Sequence, residues 1–547
     1  MEKAVVNKTV KRRLMLALLM CMLLSLLLAA CGGGTEGASG GGGDTGSKIL
    51  LYNNVREPTS LDPPIGFDQV SYDILNNAME GMTRLGKDQS PEPAMASEWK
   101  VSEDGLKYTF TLRDGVQWSN GEPVKASDFE FAWKRMLDPK TASSAATLAY
   151  VFKGAEAFNS GKGTADDVQI KAADDKTLEV TLAQPAPWLL SMLANPAFFP
   201  VPQKTVESNP NWTAEADTFV SNGPFRISQW NHDSELKMVK NDKYWDAANV
   251  KLDGVTFKMI NDSNTEYQLY QSGELHIAGV PADMSDQLFS EGKVNVQDSA
   301  GTYFYRFNTT MKPFDNAKIR KAFALAVDRQ KIVDLVVKQK QKPAGGLVSY
   351  GLKEPDGRDF REVGGDLMTF DAVQAKSLLA EGMKEAGYST LPEVTLTYNT
   401  NDLHQKIAET LQAMFKENLG VDVKLAGKEG KVLTAEQKQL QLQFSRSSWL
   451  PDFADPINFL DIFQSKSPNN RTGWSNAQYD KLIQAAYQET DEAKRYDLMH
   501  QAEKILMDEA PIMPMYFYDS AYLQSDKLVD VVRHPYGYMD FKWADLK

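Results

Sequence analysis

Apolar and polar side chains alternate at Tyr108, Phe110 and Leu112, at Leu178, Val180 and Leu182, and at Val394, Leu396 and Tyr398. Each set reads as a strand with one buried face, because successive side chains on a strand point to opposite sides. Elsewhere the period lengthens. Leu403, Ile407, Leu411, Met414 and Phe415 recur at helical spacing, as do Tyr496, Met499, Ala502, Ile505 and Leu506, and Pro511 closes the second of these helices. Asp128 to Leu137 predicts a further helix, ended by Asp138-Pro139. The body of the chain is therefore mixed α/β. It carries no tandem repeat, and no low-complexity tract apart from one near its N-terminus.

That N-terminus has a pattern of its own. Lys8 to Arg13 is basic, and Leu14 to Ala30 is an apolar run of signal-sequence length, slightly short for a typical spanning helix. It ends in Leu28-Ala29-Ala30-Cys31-Gly32. The arrangement resembles the bacterial lipobox, in which Cys31 takes a lipid and becomes the first mature residue. An uncleaved signal anchor is the other reading, but the small residues before Cys31 and the segment after it favour the lipobox. Gly32 to Gly34 and Gly40 to Gly43 then lie in a glycine- and serine-rich stretch that cannot bury enough apolar surface to fold. Residues 1–30 are thus expected to be a signal peptide and 31–48 a tether holding the body near a membrane.

Composition narrows the function. The 547 residues carry a net charge of −13. Without the first thirty residues, which hold five bases and one acid, the charge is −17. An acidic body argues against nucleic acid, whose phosphates need a basic surface. A mean hydropathy of −0.40 excludes a polytopic membrane protein. Both cysteines, Cys21 and Cys31, precede the body, which leaves it no disulfide and no cysteine zinc site. Metal-protease, nucleophile-elbow, P-loop and dinucleotide motifs are missing, so no enzyme, cofactor or metal is expected. His232, His276, His500 and His534 read as structural residues.

Several segments together resemble the solute-binding proteins of oligopeptide ABC importers. They are Asn54 to Pro63; Trp118-Ser119-Asn120-Gly121-Glu122-Pro123 on to Phe129; Trp133 to Ser143; Ser221-Asn222-Gly223-Pro224-Phe225; Pro313 to Asn316 with Ile319 to Ala322; Tyr398 to His404; Trp449 to Phe463; and Ala510 to Tyr518. The resemblance implies a periplasmic-binding-protein-like α/β fold of class II, the large three-lobed type. Two jaws would close on a hinge, with lobe I at 49–70, 200–302 and 520–547, lobe II at 71–199 and lobe III at 303–519.

It also implies a site. A receptor for many peptides must bind what all peptides share: backbone, one ammonium and one carboxylate. Asp452, in Trp449-Leu450-Pro451-Asp452, matches the family aspartate that holds the peptide N-terminus, while Asp455 is the better candidate to cap the turn at Pro456. Arg446 matches a cleft arginine that would neutralise Asp452 or meet a ligand carboxylate. Glu57, His404, Lys340 and Tyr518 match other cleft positions, with Trp449, Leu450 and Ser448 beside them. Two positions depart from the family: Gly430 stands where a tryptophan stacks over a ligand side chain, and Gln437 where a second cleft arginine lies. The implied partners are short peptides, the permease and ATPase subunits of an importer, and a membrane through lipid on Cys31. A monomer on the outer face of a cell membrane, of Gram-positive type, is expected. A dipeptide, a murein or signalling peptide, or a non-peptide solute is the alternative ligand. A lipid-tethered hydrolase and an adhesin are the alternatives of other classes.

Overall fold

The computed structural model describes residues 47–66 and 68–547, of which Lys48–Lys547 form one compact unit. Cys31, the signal peptide at 1–30 and the tether as far as Gly46 lie outside the described residues. Among the described residues, no helix is long and apolar enough to cross a membrane.

The elements that position the site run in chain order as β1 (Ile49–Asn53), α1 (Gln69–Ala78), β2 (Ala96–Val101), β3 (Lys107–Leu112), α2 (Ala126–Leu137), β4 (Ile170–Ala172), β5 (Thr177–Thr181), β6 (Phe225–Asn231), β7 (Glu235–Lys240), β8 (Gly254–Lys258) and β9 (Ile277–Gly279). They continue as β10 (Asn295–Phe307), β11 (Val394–Asn399), α3 (Asp402–Leu419), β12 (Val423–Lys428), α4 (Gly430–Lys438), β13 (Phe444–Trp449), α5 (Glu492–Glu509) and β14 (Ile512–Gln524).

The alternating runs form strands as expected. Tyr108, Phe110 and Leu112 on β3, Leu178 and Val180 on β5, and Val394, Leu396 and Tyr398 on β11 are all buried. On α3, Ile407, Leu411, Met414 and Phe415 face inward, and on α5 Met499, Ala502 and Leu506 do so. Helix α2 starts at Ala126, two residues before Asp128. The reason is local: Asp128 occupies the third helical position, where its Oδ2 accepts from the Lys125 backbone N–H at 2.9 Å. Helix α5 stops when Ala510 turns left-handed (φ 47°), just before Pro511.

Three sheets carry most of the strands. One has the order β1-β8-β7-β6, with β1 and β8 parallel. A second, wholly antiparallel, has the order β2-β3-β5-β4. The third runs β9-β14-β10-β13-β11-β12. This is a multi-lobed, periplasmic-binding-protein-like α/β architecture. Strands β10 and β14 are thirteen residues each and pair with each other on both sides of an irregularity between Asp298 and Thr302. The borders expected at 302 and 519 fall inside these two continuous strands.

Candidate functional site

The third sheet leaves one edge open. β13 pairs with β10 over its whole length, from Thr302↔Trp449 to Phe307↔Phe444. On its other side, β11 meets it only at Leu396↔Phe444 and Thr397↔Ser445. Past Ser445, the Arg446 carbonyl accepts from Gln437 Nε2 at 2.8 Å. From Ser447 to Leu450 no strand covers this edge among the described residues. An open edge presents backbone N–H and C=O groups that another extended chain can pair with.

Arg446 stands at one end of this edge. Its Cζ lies 4.6 Å from the centre of the Tyr303 ring. Nη1 donates to Asn399 Oδ1 at 3.4 Å and Nη2 to the Tyr518 hydroxyl at 3.2 Å. Its buried Nε has no hydrogen-bond partner among the described residues. His404 follows the N-cap Asn401, whose Oδ1 accepts from the Leu403 and His404 backbone. That cap aims the imidazole at the sheet, with Nδ1 3.3 Å from the Tyr303 hydroxyl. Burial, helped by the Arg446 charge, pushes the His404 pKa down to about 4, so the ring is neutral at pH 7.

Asp452 stands at the other end. Its carboxyl is half-buried, and burial pushes it up to about 6 against the pull of a hydrogen bond with Asn458. The loop that carries it is fixed on several sides. Asn458 Oδ1 accepts from Asp452 N–H and from Trp449 Nε1, both at 3.1 Å. Asn195 Nδ2 donates to the Asp452 carbonyl at 3.0 Å, and Ala454 N–H to Ser191 Oγ at 3.1 Å. Phe453 stacks on Trp188 with ring centres 5.8 Å apart. Asp455 caps the turn through Ile457 N–H at 2.9 Å and makes a buried two-pronged pair with Arg495, 2.7 Å on each arm. Asp461 also feels the Asp452 charge. Burial pushes it up to about 8, against a hydrogen bond from Tyr487, so Asp452 gives up its proton more readily than Asp461 does.

Arg446 and Asp452 do not pair with each other, which removes one of the two roles considered for the arginine. Among the described residues, no carboxylate lies within ion-pair distance of Arg446 and no cation within that distance of Asp452. Half-buried charges left unpaired are costly, and they are retained where a ligand supplies the counter-charge.

The structure thus brings His404 of α3 and Tyr518 of β14 together with Arg446 on β13, which also carries Ser448 and Trp449, with Leu450 53% exposed beyond it and Asp452 in the loop that follows. Gly301 permits this packing: a Cβ there would lie 2.8 Å from Tyr518 Cδ2 and 3.3 Å from Leu450 Cγ. Two predicted residues are placed elsewhere. Glu57 holds the β6–β7 turn, with Oε1 2.7 Å from His232 Nδ1 and Oε2 accepting from Asp233 N–H at 2.9 Å. Lys340 is exposed and left-handed (φ 69°), and lines a cavity of about 420 Å³ with Asp286, Phe289 and Lys338. A larger cavity, about 720 Å³, lies between Leu335 and the Lys406–Ala413 face of α3 and contains none of the predicted residues.

Tyr303, Asn399 and Asn458 were missed in the sequence reading. Their roles come from pairing across the sheet and across a loop, and no local spacing signals that. The two departures acquire a structural meaning. A Cβ on Gly430 would meet nothing within 4 Å, so the space is open. Gln437 is buried and donates to Ser445 Oγ as well as to the Arg446 carbonyl, so a neutral strand clip stands at this position. Among the described residues, no group of three or more His, Cys, Asp or Glu side chains is placed to hold a metal ion.

The profile of the bacterial extracellular solute-binding proteins, family 5 (middle region), matches residues 90–471. The chain belongs to this family. Among family 5 relatives, it is 56% identical to the dipeptide-binding protein DppE of Bacillus subtilis, with 92% of each chain covered. It is 43% identical to the oligopeptide-binding protein OppA of the same organism, over 92% of this chain and 94% of that one. A solved family 5 structure, Listeria monocytogenes OppA bound to peptide, superposes with a TM-score of 0.74 at 33% identity, over 92% of this chain and all of that one.

Proposed function

We propose that this protein captures short peptides outside the cytoplasmic membrane, held there by lipid on Cys31, and hands them intact to the permease and ATPase subunits of an ABC importer. The observation that carries this reading is the pair of uncompensated charges at the two ends of an unpaired strand edge. Asp452 takes the peptide ammonium. The edge from Ser447 to Leu450 pairs with the peptide backbone. Arg446, with His404 and Tyr518, receives the carboxylate or the last carbonyl. Such a guest is recognised by what every peptide has, so sequence preference is broad. The open space at Gly430 suits varied side chains, with water filling what a small one leaves. Glu57 and Lys340 are given no role in this reading, because Glu57 is held by His232 and Asp233 and Lys340 lines a separate cavity. The named functions of DppE and of the two OppA proteins support the same ligand class, and binding without chemistry fits a site that lacks a nucleophile–base pair.

The test is calorimetry with matched peptides that have free or acetylated amino termini, followed by mass spectrometry of the recovered ligand. Free-amine peptides should bind and return whole. Asp452→Ala should weaken them at least tenfold, the loss of a charge-assisted contact being about 1.5–3 kcal/mol, while barely changing the acetylated series. Equal losses in both series would remove Asp452 from ligand recognition, and recovery of fragments would make the protein a hydrolase.

A further inference from the structure

On the opposite face of the sheet from Arg446, β10 and a neighbouring loop bring two more arginines together. Arg306 is 3% exposed. Its Nε donates to Ser447 Oγ at 2.9 Å and its Nη1 to the Asn469 carbonyl at 3.3 Å. The same carbonyl accepts from the Arg471 backbone N–H at 3.0 Å, so the two residues meet at one oxygen. The faces of Phe304 and Phe463 lie 5.1 and 5.4 Å from the Arg306 Cζ. Arg471 is half-buried, and its Nε is buried without a hydrogen-bond partner among the described residues. Among the described residues, no carboxylate lies within ion-pair distance of either arginine. Burial and the neighbouring Arg471 charge push the Arg306 pKa down to about 9, which still leaves Arg306 cationic at pH 7.

An arginine that only staples a loop to a strand needs its two hydrogen bonds and its ring contacts. It gains nothing from a second cation near enough to feel, whose own Nε is buried and unpaired among the described residues, because like charges in a poorly hydrated place repel. The arrangement suits an anion. Its position says which anion. Ser445, Ser447 and Trp449 point to one face of β13, and Arg446 and Ser448 to the other. A peptide strand laid on the open edge, about 4.8 Å from β13, places every second side chain on the Ser447 face, within reach of the guanidinium that Ser447 already touches.

We propose that Arg306 and Arg471 form a side-chain pocket for a carboxylate of the bound peptide, selecting an acidic residue at alternate positions. The inference rests on the peptide reading above and adds a preference to it. The chemistry recognised is a carboxylate, and the half-exposed Arg471 is the side from which it enters.

The experiment is a glutamate walk. Calorimetry compares tetrapeptides carrying Glu or Gln at each successive position, against the wild type and Arg471→Gln. The wild type should bind Glu about tenfold tighter than Gln at positions of one parity, with no gain at their neighbours. Diffuse attraction by a basic surface would not alternate in this way. Arg471→Gln should bring the Glu-to-Gln ratio towards one. If Gln peptides bind but Glu gives no gain anywhere, the pocket is refuted while the peptide reading stands. If no free-amine peptide binds, both fall together. A third arm adds acetate alone: a rise in melting temperature in the wild type that Arg471→Gln loses, without any Glu preference, would assign the pair to a free anion and overturn the side-chain role.

Discussion

Burial raises the Asp452 carboxyl from its ordinary range to about 6, and this links stability to binding at one residue. A carboxyl whose folded pKa exceeds its unfolded value binds more protons in the fold. Its favourable contribution is complete below about pH 4 and is lost as pH rises through about 6. At neutral pH the charged group therefore costs about 3 kcal/mol. Asp452→Asn should stabilise the empty protein at pH 7 by up to that amount and flatten its stability between pH 4 and 6. Denaturant melts across this range read the effect, and a destabilised, pH-sensitive variant would contradict it. Binding has the opposite sign. The ammonium needs the charged carboxylate, so affinity for free-amine peptides should fall as pH drops through about 6, which calorimetry at pH 5 and 7.5 reads directly. His404, held near 4, stays neutral over most of that range. The candidate residues named from the family pattern were legible as a set. Their charge states were not, because a pKa depends on what is packed around the group.

At the scale of elements, the site is a strand end joined to a loop. Asp455 fixes that loop through its two-pronged pair with Arg495 on α5, a partner forty residues away in sequence. Removing one partner of such a buried pair leaves the other uncompensated. Asp455→Ala should cost about 3–5 kcal/mol in chemical denaturation and should weaken peptide binding through the displaced Asp452. A loss near zero would mean that the pair does not hold the loop. Strands and helices at this scale were well predicted wherever one face is buried, as on β3, β11 and α3, since periodicity records burial directly. The open edge was not predictable. β11 pairs with β12 along its whole length, from Val394↔Val423 to Asn399↔Lys428, but meets β13 only at Leu396↔Phe444 and Thr397↔Ser445.

For the whole molecule, two predictions follow from the architecture and the address. Strands β10 and β14 run through the expected lobe borders and break register between Asp298 and Thr302, a natural place for bending. Saturating peptide should reduce the radius of gyration in solution scattering, and superimposable profiles would count against jaw closure. Cys31→Ser should leave the protein uncut or release it from membranes, as fractionation and lipid labelling would show. Persistent lipid labelling of that variant would place the anchor elsewhere.

Short-range information was enough for the alternation of the strands and for the periodicity and stops of the helices. Each of these is written within a few neighbouring residues. The fold alone established that Arg446 and Asp452 stay apart and unpaired, that His232 occupies Glu57, that Gln437 clips a strand, and that Arg306 lies beside Arg471. Those facts arise where segments distant along the chain meet, and local periodicity carries no record of such meetings.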